Sequence, residues 1–304
     1  MTALEEKLNR YKGPSSDNEK DKQERAERMV REACDGWAGF SGIRLRYLPK
    51  GSYKNNTNVK QDSDVDIAVI HEGFHYFDDS ALRQGDRSTG SGITIKHLGD
   101  SAFRHELEKC LYNKFGTAVD TSGKTAITIA GSNTRVSTDV VPSFRHRLYY
   151  YDGAGRVKYH EGTATFQSDS TKIVNYPEQQ HENGVAKNNR TGRRYKFIVR
   201  IMKRVENDLV AAGKISALPS YFMECLGYVV PDNKYGHGGG TPLTDDLKAA
   251  LYFIWNNTGD AGSGPRWYEP NEIKPLFGDG QKWSMADARS FAQAAWNHLG
   301  LKNA

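Results

Sequence analysis

The chain has 304 residues, 37% hydrophobic and 26% charged, with 16 Tyr and 12 Phe; it holds enough apolar material for two ordinary domains, which excludes a disordered polypeptide. No stretch approaches the ~20 apolar residues of a membrane helix, and Met1–Gly13 has no apolar signal core, so the expectation is a soluble, cytoplasmic protein with no membrane partner. The net charge of +5 is too mild to name a partner, and Cys34, Cys110 and Cys225 lack any CxxC spacing, which argues against a disulfide framework or a zinc site.

Residues 1–18 are polar and read as a frayed end. Ser16 with Glu19 makes a capping box for a helix on which Ala26, Met29, Val30, Ala33 and Trp37 recur at helical spacing, ending near Asp35-Gly36. A short strand, Ile43–Leu48, delivers the chain to Gly51-Ser52, read as a turn. A polar loop follows, and Asp64-Val65-Asp66 then leads an apolar run to Ile70. Residues 71–100, rich in Gly, Ser and charge, read as a loop or insertion. Ser101 opens a second amphipathic helix (Phe103, Leu107, Cys110, Leu111), closed by Gly116. Lys124–Ala130 and Arg135–Val141 read as strands around the turn Gly131-Ser132-Asn133, and 147–174 as further antiparallel strands. From Tyr176 the pattern turns helical. Tyr195–Ala212 carries Ile198, Ile201, Met202, Val205 and Leu209 on one face, with Gly213 as its stop, and Pro219–Val229, Thr244–Asn256 and Ser284–Leu299 follow. The expected architecture is α+β: a sheet lobe over 1–175 and a helical lobe over 176–304, with no internal repeat.

The chemistry centres on Gly51–Ile70. Alternate side chains of a strand share a face, so Asp64 and Asp66 point one way while Val65, Ile67 and Val69 enter a core. Carboxylates so placed can hold a pair of divalent cations about 3.5–4 Å apart, and a Gly-Ser turn offers backbone N–H groups and a hydroxyl to phosphate. Asp139, just before Val140-Val141 on a later strand, supplies a third carboxylate. Strand-end acids are often merely solvated, and the combination lifts these above that reading, since carboxylates clustered in apolar surroundings are costly unless neutralised. Lys196, Arg200 and Lys203 form a basic stripe at i, i+4 and i+7, for which a solvated helix face is the ordinary explanation. Pro219-Ser220 looks like a first helical turn with free N–H groups for an anion. Other motifs are discounted. Gly123-Lys124-Thr125 lacks the first Gly of a P-loop and precedes a strand, Gly236–Gly240 has no Lys, the nine His show no HExxH spacing, and Asn55-Asn56-Thr57 is a sequon without a secretory context.

The pattern Gly51-Ser52, Asp64-Val65-Asp66 and Asp139 resembles the DNA polymerase β-like nucleotidyltransferase superfamily. Later segments are similar to the bacterial CD-NTases, relatives of cyclic GMP–AMP synthase and oligoadenylate synthetase, and to their E-like clade. These are Asn175-Tyr176-Pro177 with His181–Gly184 and Lys187-Asn188, then Tyr195–Lys203, then Pro219-Ser220-Tyr221 with Glu224-Cys225-Leu226. The resemblance spans roughly residues 20–300, and one departure is Lys50, where relatives often carry Gln.

The resemblance implies a nucleotidyltransferase sheet lobe and an oligoadenylate-synthetase-like helical lobe that closes over the triphosphate. It implies an enzyme that condenses two or three nucleoside triphosphates into a cyclic second messenger for antiphage signalling, releasing pyrophosphate and switching on a separate effector through the product. Asp64 and Asp66 would bind two Mg²⁺ ions, replaceable by Mn²⁺, and Asp139 would complete the site and accept the proton of the attacking hydroxyl. Gly51, Ser52, Lys203, Ser220 and Arg200 would contact phosphates and Tyr221 would stack on a base. Asn175, whose amide suits the edge of uracil, would read uridine, although a turn-forming Asn explains it nearly as well. A monomer needing no nucleic-acid activator is expected. The competing readings are a linear nucleotide-adding RNA polymerase and a nucleic-acid-binding sensor, the latter weakened by scattered Lys and Arg.

Overall fold

Hydrophobic periodicity sorts the chain into two units with separate cores. The computed structural model describes residues 2–13, 17–59, 65–87, 100–133, 135–236, 240–259 and 266–301. One unit comprises Ser16–Tyr53 and Ser63–Pro177; the other comprises Met1–Ser15, Lys54–Asp62 and Glu178–Ala304. The units depart from the division expected at 175/176 at two places, because the described residues 2–13 and 54–59 group with the helical unit.

The supposedly frayed N-terminus is helix α1 (Ala3–Tyr11), with the Thr2 hydroxyl accepting the Glu5 N–H at 3.2 Å and Leu8 fully buried. Helix α2 (Asp17–Asp35) buries Ala26, Val30 and Cys34; Ser16 of its expected capping box lies outside the described residues. Strand β1 (Leu45–Lys50) runs into the one-turn helix α3 (Gly51–Lys54), where a simple turn was expected. Strand β2 (Val65–Asp78) extends well past Ile70, so the supposed loop from residue 71 begins as strand; 88–99 lie outside the described residues. Helix α4 (Asp100–Phe115) buries the anticipated Phe103, Leu107, Cys110 and Leu111 and stops at Gly116, whose φ is +56°.

Strands β3 (Val119–Asp120), β4 (Ile127–Ile129), β5 (Thr138–Tyr151), β6 (Val157–Phe166) and β7 (Lys172–Asn175) complete a seven-stranded sheet in the order β1-β2-β5-β4-β3, with β6 between β5 and β7. β2 and β5 are parallel and the other pairs antiparallel. One edge of β5 is shared: its start pairs with β4 up to Val140 and its end with β6 from Phe144. Pro142 sits in the gap between them, where its missing N–H removes no ladder bond. Val65, Ile67, Val69, Val140 and Phe144 face a core closed by Val30, Cys34, Phe103, Leu107 and Leu111 from α2 and α4.

The helical unit is built from α5 (Pro177–Arg190), α6 (Arg194–Ala211), α7 (Ser220–Val229), α8 (Leu243–Asn257) and α9 (Met285–His298). The apolar face of α6 (Ile198, Ile201, Met202, Val205, Leu209) is the spine of its core, which also takes in Leu8 of α1. Gly213 ends α6 at φ +64°, and Ser284 with Asp287 forms a reciprocal capping box at the start of α9. Among the described residues, no helix is long and apolar enough to cross a membrane.

Candidate active site

Four strands bring the candidate chemistry into one line. Lys50 is opposite Asp66 in the β1–β2 ladder, Asp66 is opposite Asp139 in the β2–β5 ladder, and Asp139 is opposite Thr128 in the β4–β5 ladder. Residues directly opposite share a face, so these four side chains form a row on the face away from Val65 and Ile67. The Thr128 hydroxyl donates to Asp139 Oδ1 at 2.7 Å, which orients that carboxylate. Gly51, at φ +75°, lies against Asp66 so closely that a Cβ there would stand 2.1 Å from Asp66 Oδ2. The turn carrying Gly51 and Ser52 is thus locked to the carboxylate strand. Burial pushes the Lys50 ammonium below its ordinary pKa, opposed by the negative charges of Asp66 and Asp139. Asp64 lies outside the described residues.

Asn175 ends β7 opposite Thr163, which is opposite Arg145 in β5. Arg145 is six residues beyond Asp139 on the same strand, so Asn175 shares the carboxylate face, roughly 20 Å further along the strand direction. Gly162 permits this, because a Cβ there would stand 2.5 Å from the Asn175 carbonyl oxygen.

In the helical unit the basic stripe is buried, contrary to a solvated face: Lys196, Arg200 and Lys203 are 8%, 3% and 1% exposed. Arg200 donates to the carbonyls of Lys12 and Asn56, each at 2.5 Å, so its guanidinium braces backbone. Burial pushes its pKa down to about 10, with Arg204 adding to the shift. Asn55, Thr57, Asn58 and Val59 are buried, with Asn56 at φ +52°. Their anchor is Glu224 on α7, 1% exposed, which accepts from Thr57 Oγ1 at 2.5 Å and Asn55 Nδ2 at 3.2 Å. Ser220 is the first residue of α7. Tyr221 donates its hydroxyl to Glu269 at 3.1 Å and meets Trp283 edge-on at 6.1 Å, leaving the ring partly exposed. The Lys203 charge acts on Cys225, one turn along α7 from Tyr221, which puts Lys203 beside the same helix.

Residues 182–300 match the model of the cGAS/DncV-like nucleotidyltransferase C-terminal helical domain. Over 297 residues, 97% of each chain, the sequence is 35% identical to the cyclic dipyrimidine nucleotide synthase CdnE of Legionella pneumophila. The chain belongs to the CD-NTase family. It is also 34% identical to the cyclic dipyrimidine nucleotide synthase CdnE of Cecembia lonarensis, over 97% of this chain and 98% of that one. The Elizabethkingia meningoseptica CdnE cyclic dinucleotide synthase, solved with GTP and Apcpp, superposes with a TM-score of 0.78 at 28% identity, covering 97% of this chain and 98% of that one.

For this CD-NTase, the donor set at the carboxylate row fits a hard divalent cation: Asp66 and Asp139 offer oxygen ligands side by side, and the missing side chain of Gly51 keeps the space at Asp66 open. Among the described residues no group of three or more His, Cys, Asp or Glu is assembled for a metal. Sequence reasoning missed three parts of this CD-NTase's arrangement. Thr128 was one polar residue in a strand, Lys50 was noted only as a departure, and Asn55–Thr57 was set aside as a sequon. No sequence signal marks that run as buried: Asn55 and Thr57 are enclosed with Glu224 as their partner, while Asn56 between them is exposed.

Proposed function

We propose that this chain condenses nucleoside triphosphates into a cyclic dinucleotide containing pyrimidine, with release of pyrophosphate, in bacterial antiphage signalling. The observation carrying this is the Asp66–Asp139 row locked against Gly51, in a chain similar over nearly its whole length to two cyclic dipyrimidine nucleotide synthases. Asp64, Asp66 and Asp139 would hold two Mg²⁺ ions, with Mn²⁺ as a substitute. Metal bound there would supply charge neutralisation for the triphosphate and a lower pKa for the attacking hydroxyl.

The chain's own residues do the positioning. Asp139, oriented through the Thr128 hydrogen bond, accepts the proton of the attacking hydroxyl. The N–H groups at Gly51-Ser52 and the Ser52 hydroxyl bind phosphate oxygens. Lys203 and Ser220 bind phosphate from the helical unit, and Tyr221 supplies a face for a base. Arg200 acts by bracing residues 12 and 56 and not by touching phosphate. Asn175 presents its amide to the edge of uracil.

Incubation of the purified protein with labelled nucleoside triphosphates and Mg²⁺ or Mn²⁺, then phosphatase, should leave a resistant product whose mass corresponds to a cyclic dinucleotide with at least one pyrimidine. No resistant product from any mixture would sink the reading. A ladder of extended RNA ends would replace it with a linear polymerase. Asp139→Asn should abolish the product while the melting profile is kept.

A further inference from the structure

Lys50 is the one residue of the carboxylate row whose charge has the opposite sign. It ends β1 immediately before Gly51, opposite Asp66, which is itself opposite Asp139. Adjacent strands are about 4.8 Å apart, so the three Cα atoms span two strand spacings, within reach of a lysine side chain. The negative charges of Asp66 and Asp139 both act to keep that ammonium protonated, against the effect of burial. The backbone cannot carry Lys50 away from this position, because β1 is held to β2 by six consecutive residue pairs, Leu45↔His71 to Lys50↔Asp66.

We propose that Lys50 is a resident counter-ion of the carboxylate row, and that it makes metal loading depend on nucleotide. Two carboxylates side by side repel each other in the metal-free protein, and an ammonium facing them relieves that repulsion. The same positive charge opposes an incoming divalent cation, so metal alone binds weakly. A triphosphate brings negative charge of its own, so metal arriving with nucleotide is favoured over the lysine. The enzyme then holds its metal when substrate is present.

This inference rests on the metal-binding reading, so the test measures binding and not turnover. Mn²⁺ is titrated into nucleotide-free wild type, Lys50→Met and Lys50→Gln, with free Mn²⁺ read by electron paramagnetic resonance, and the titrations are repeated with a non-hydrolysable triphosphate. Both substitutions should tighten nucleotide-free Mn²⁺ binding by on the order of tenfold or more, and should shrink the gain that the triphosphate gives wild type. Lys50→Arg should stay near wild type. Unchanged or weaker Mn²⁺ binding in both folded variants, with Mn²⁺ still bound in wild type, overturns the role of Lys50 alone; no Mn²⁺ binding in any protein, with or without triphosphate, overturns both readings. Asp66→Asn gives a second measurement, as a background for Lys50→Met. If Lys50 offsets the repulsion between the two carboxylates, Lys50→Met should lower the metal-free melting temperature more in wild type than in the Asp66→Asn background, and equal shifts in both would overturn the counter-ion role.

Discussion

Gly51 has two reasons to lack a side chain. Its φ of +75° disfavours any L-residue, and its Cα lies where a Cβ would collide with Asp66. Gly51→Ala should lower turnover by at least about two orders of magnitude, because displaced carboxylates misalign the reacting groups, while the melting temperature falls only a few degrees. Steady-state kinetics beside a thermal melt separates the two effects. Thr128→Val keeps the shape of the side chain and removes the hydrogen bond to Asp139 Oδ1. It should cut kcat about tenfold with little change in KM, a split that initial-rate measurements reveal. Asp66 and Asp139 were legible from sequence because strand alternation separates them from Val65, Ile67 and Val140. For Arg200, the periodicity that placed it on a stripe could not show that its guanidinium donates to the carbonyls of Lys12 and Asn56.

At the scale of elements, α1 illustrates what composition hides. Its sequence is polar, yet its polar side chains reach well beyond their own helix. Lys7 and Tyr11 meet Asp208 on α6, and Glu5 receives the Leu243 and Thr244 N–H groups at 2.8 and 2.9 Å, capping α8 from a distant helix. Glu5→Ala should destabilise the helical unit by about 1–2 kcal/mol, measured by denaturant unfolding. Burial acts to raise the Glu5 pKa, but the donors from Leu243 and Thr244 outweigh it and hold the carboxyl below its ordinary 4.5. A carboxyl depressed in the folded state contributes stability above the unfolded pKa and loses it as pH falls through the folded value. The gap between wild type and Glu5→Ala should therefore be full at neutral pH and close progressively below about pH 4.5. The apolar face of α6 was readable because a core-facing helix repeats every 3.6 residues. The continuation of β2 through 71–78 was not, because its stability comes from pairing with β5, a partner more than about 60 residues away in sequence.

Over the whole molecule, the two hydrophobic clusters share no residue. Ile67→Ala and Ile201→Ala each remove a fully buried side chain, one from each cluster, and each should cost about 2–5 kcal/mol. Hydrogen exchange should then quicken mainly in the sheet for Ile67→Ala and mainly in α6 to α9 for Ile201→Ala. Sequence alone determined the α+β order, the helix faces, the strand carrying Asp66 and the family resemblance, because periodicity, caps and short motifs are local properties of the chain. Tertiary structure decided that residues 54–59 group with the helical unit, that Glu224 and Arg200 hold Asn55, Asn56 and Thr57, and that Lys50, Asp66, Asp139 and Thr128 align. Those outcomes depend on strand register and on which buried polar groups find each other across long stretches of sequence. The Gly51–Ser52 turn and the Asp66 strand are close together in the chain, yet only the ladder between β1 and β2 sets Lys50 against the carboxylates.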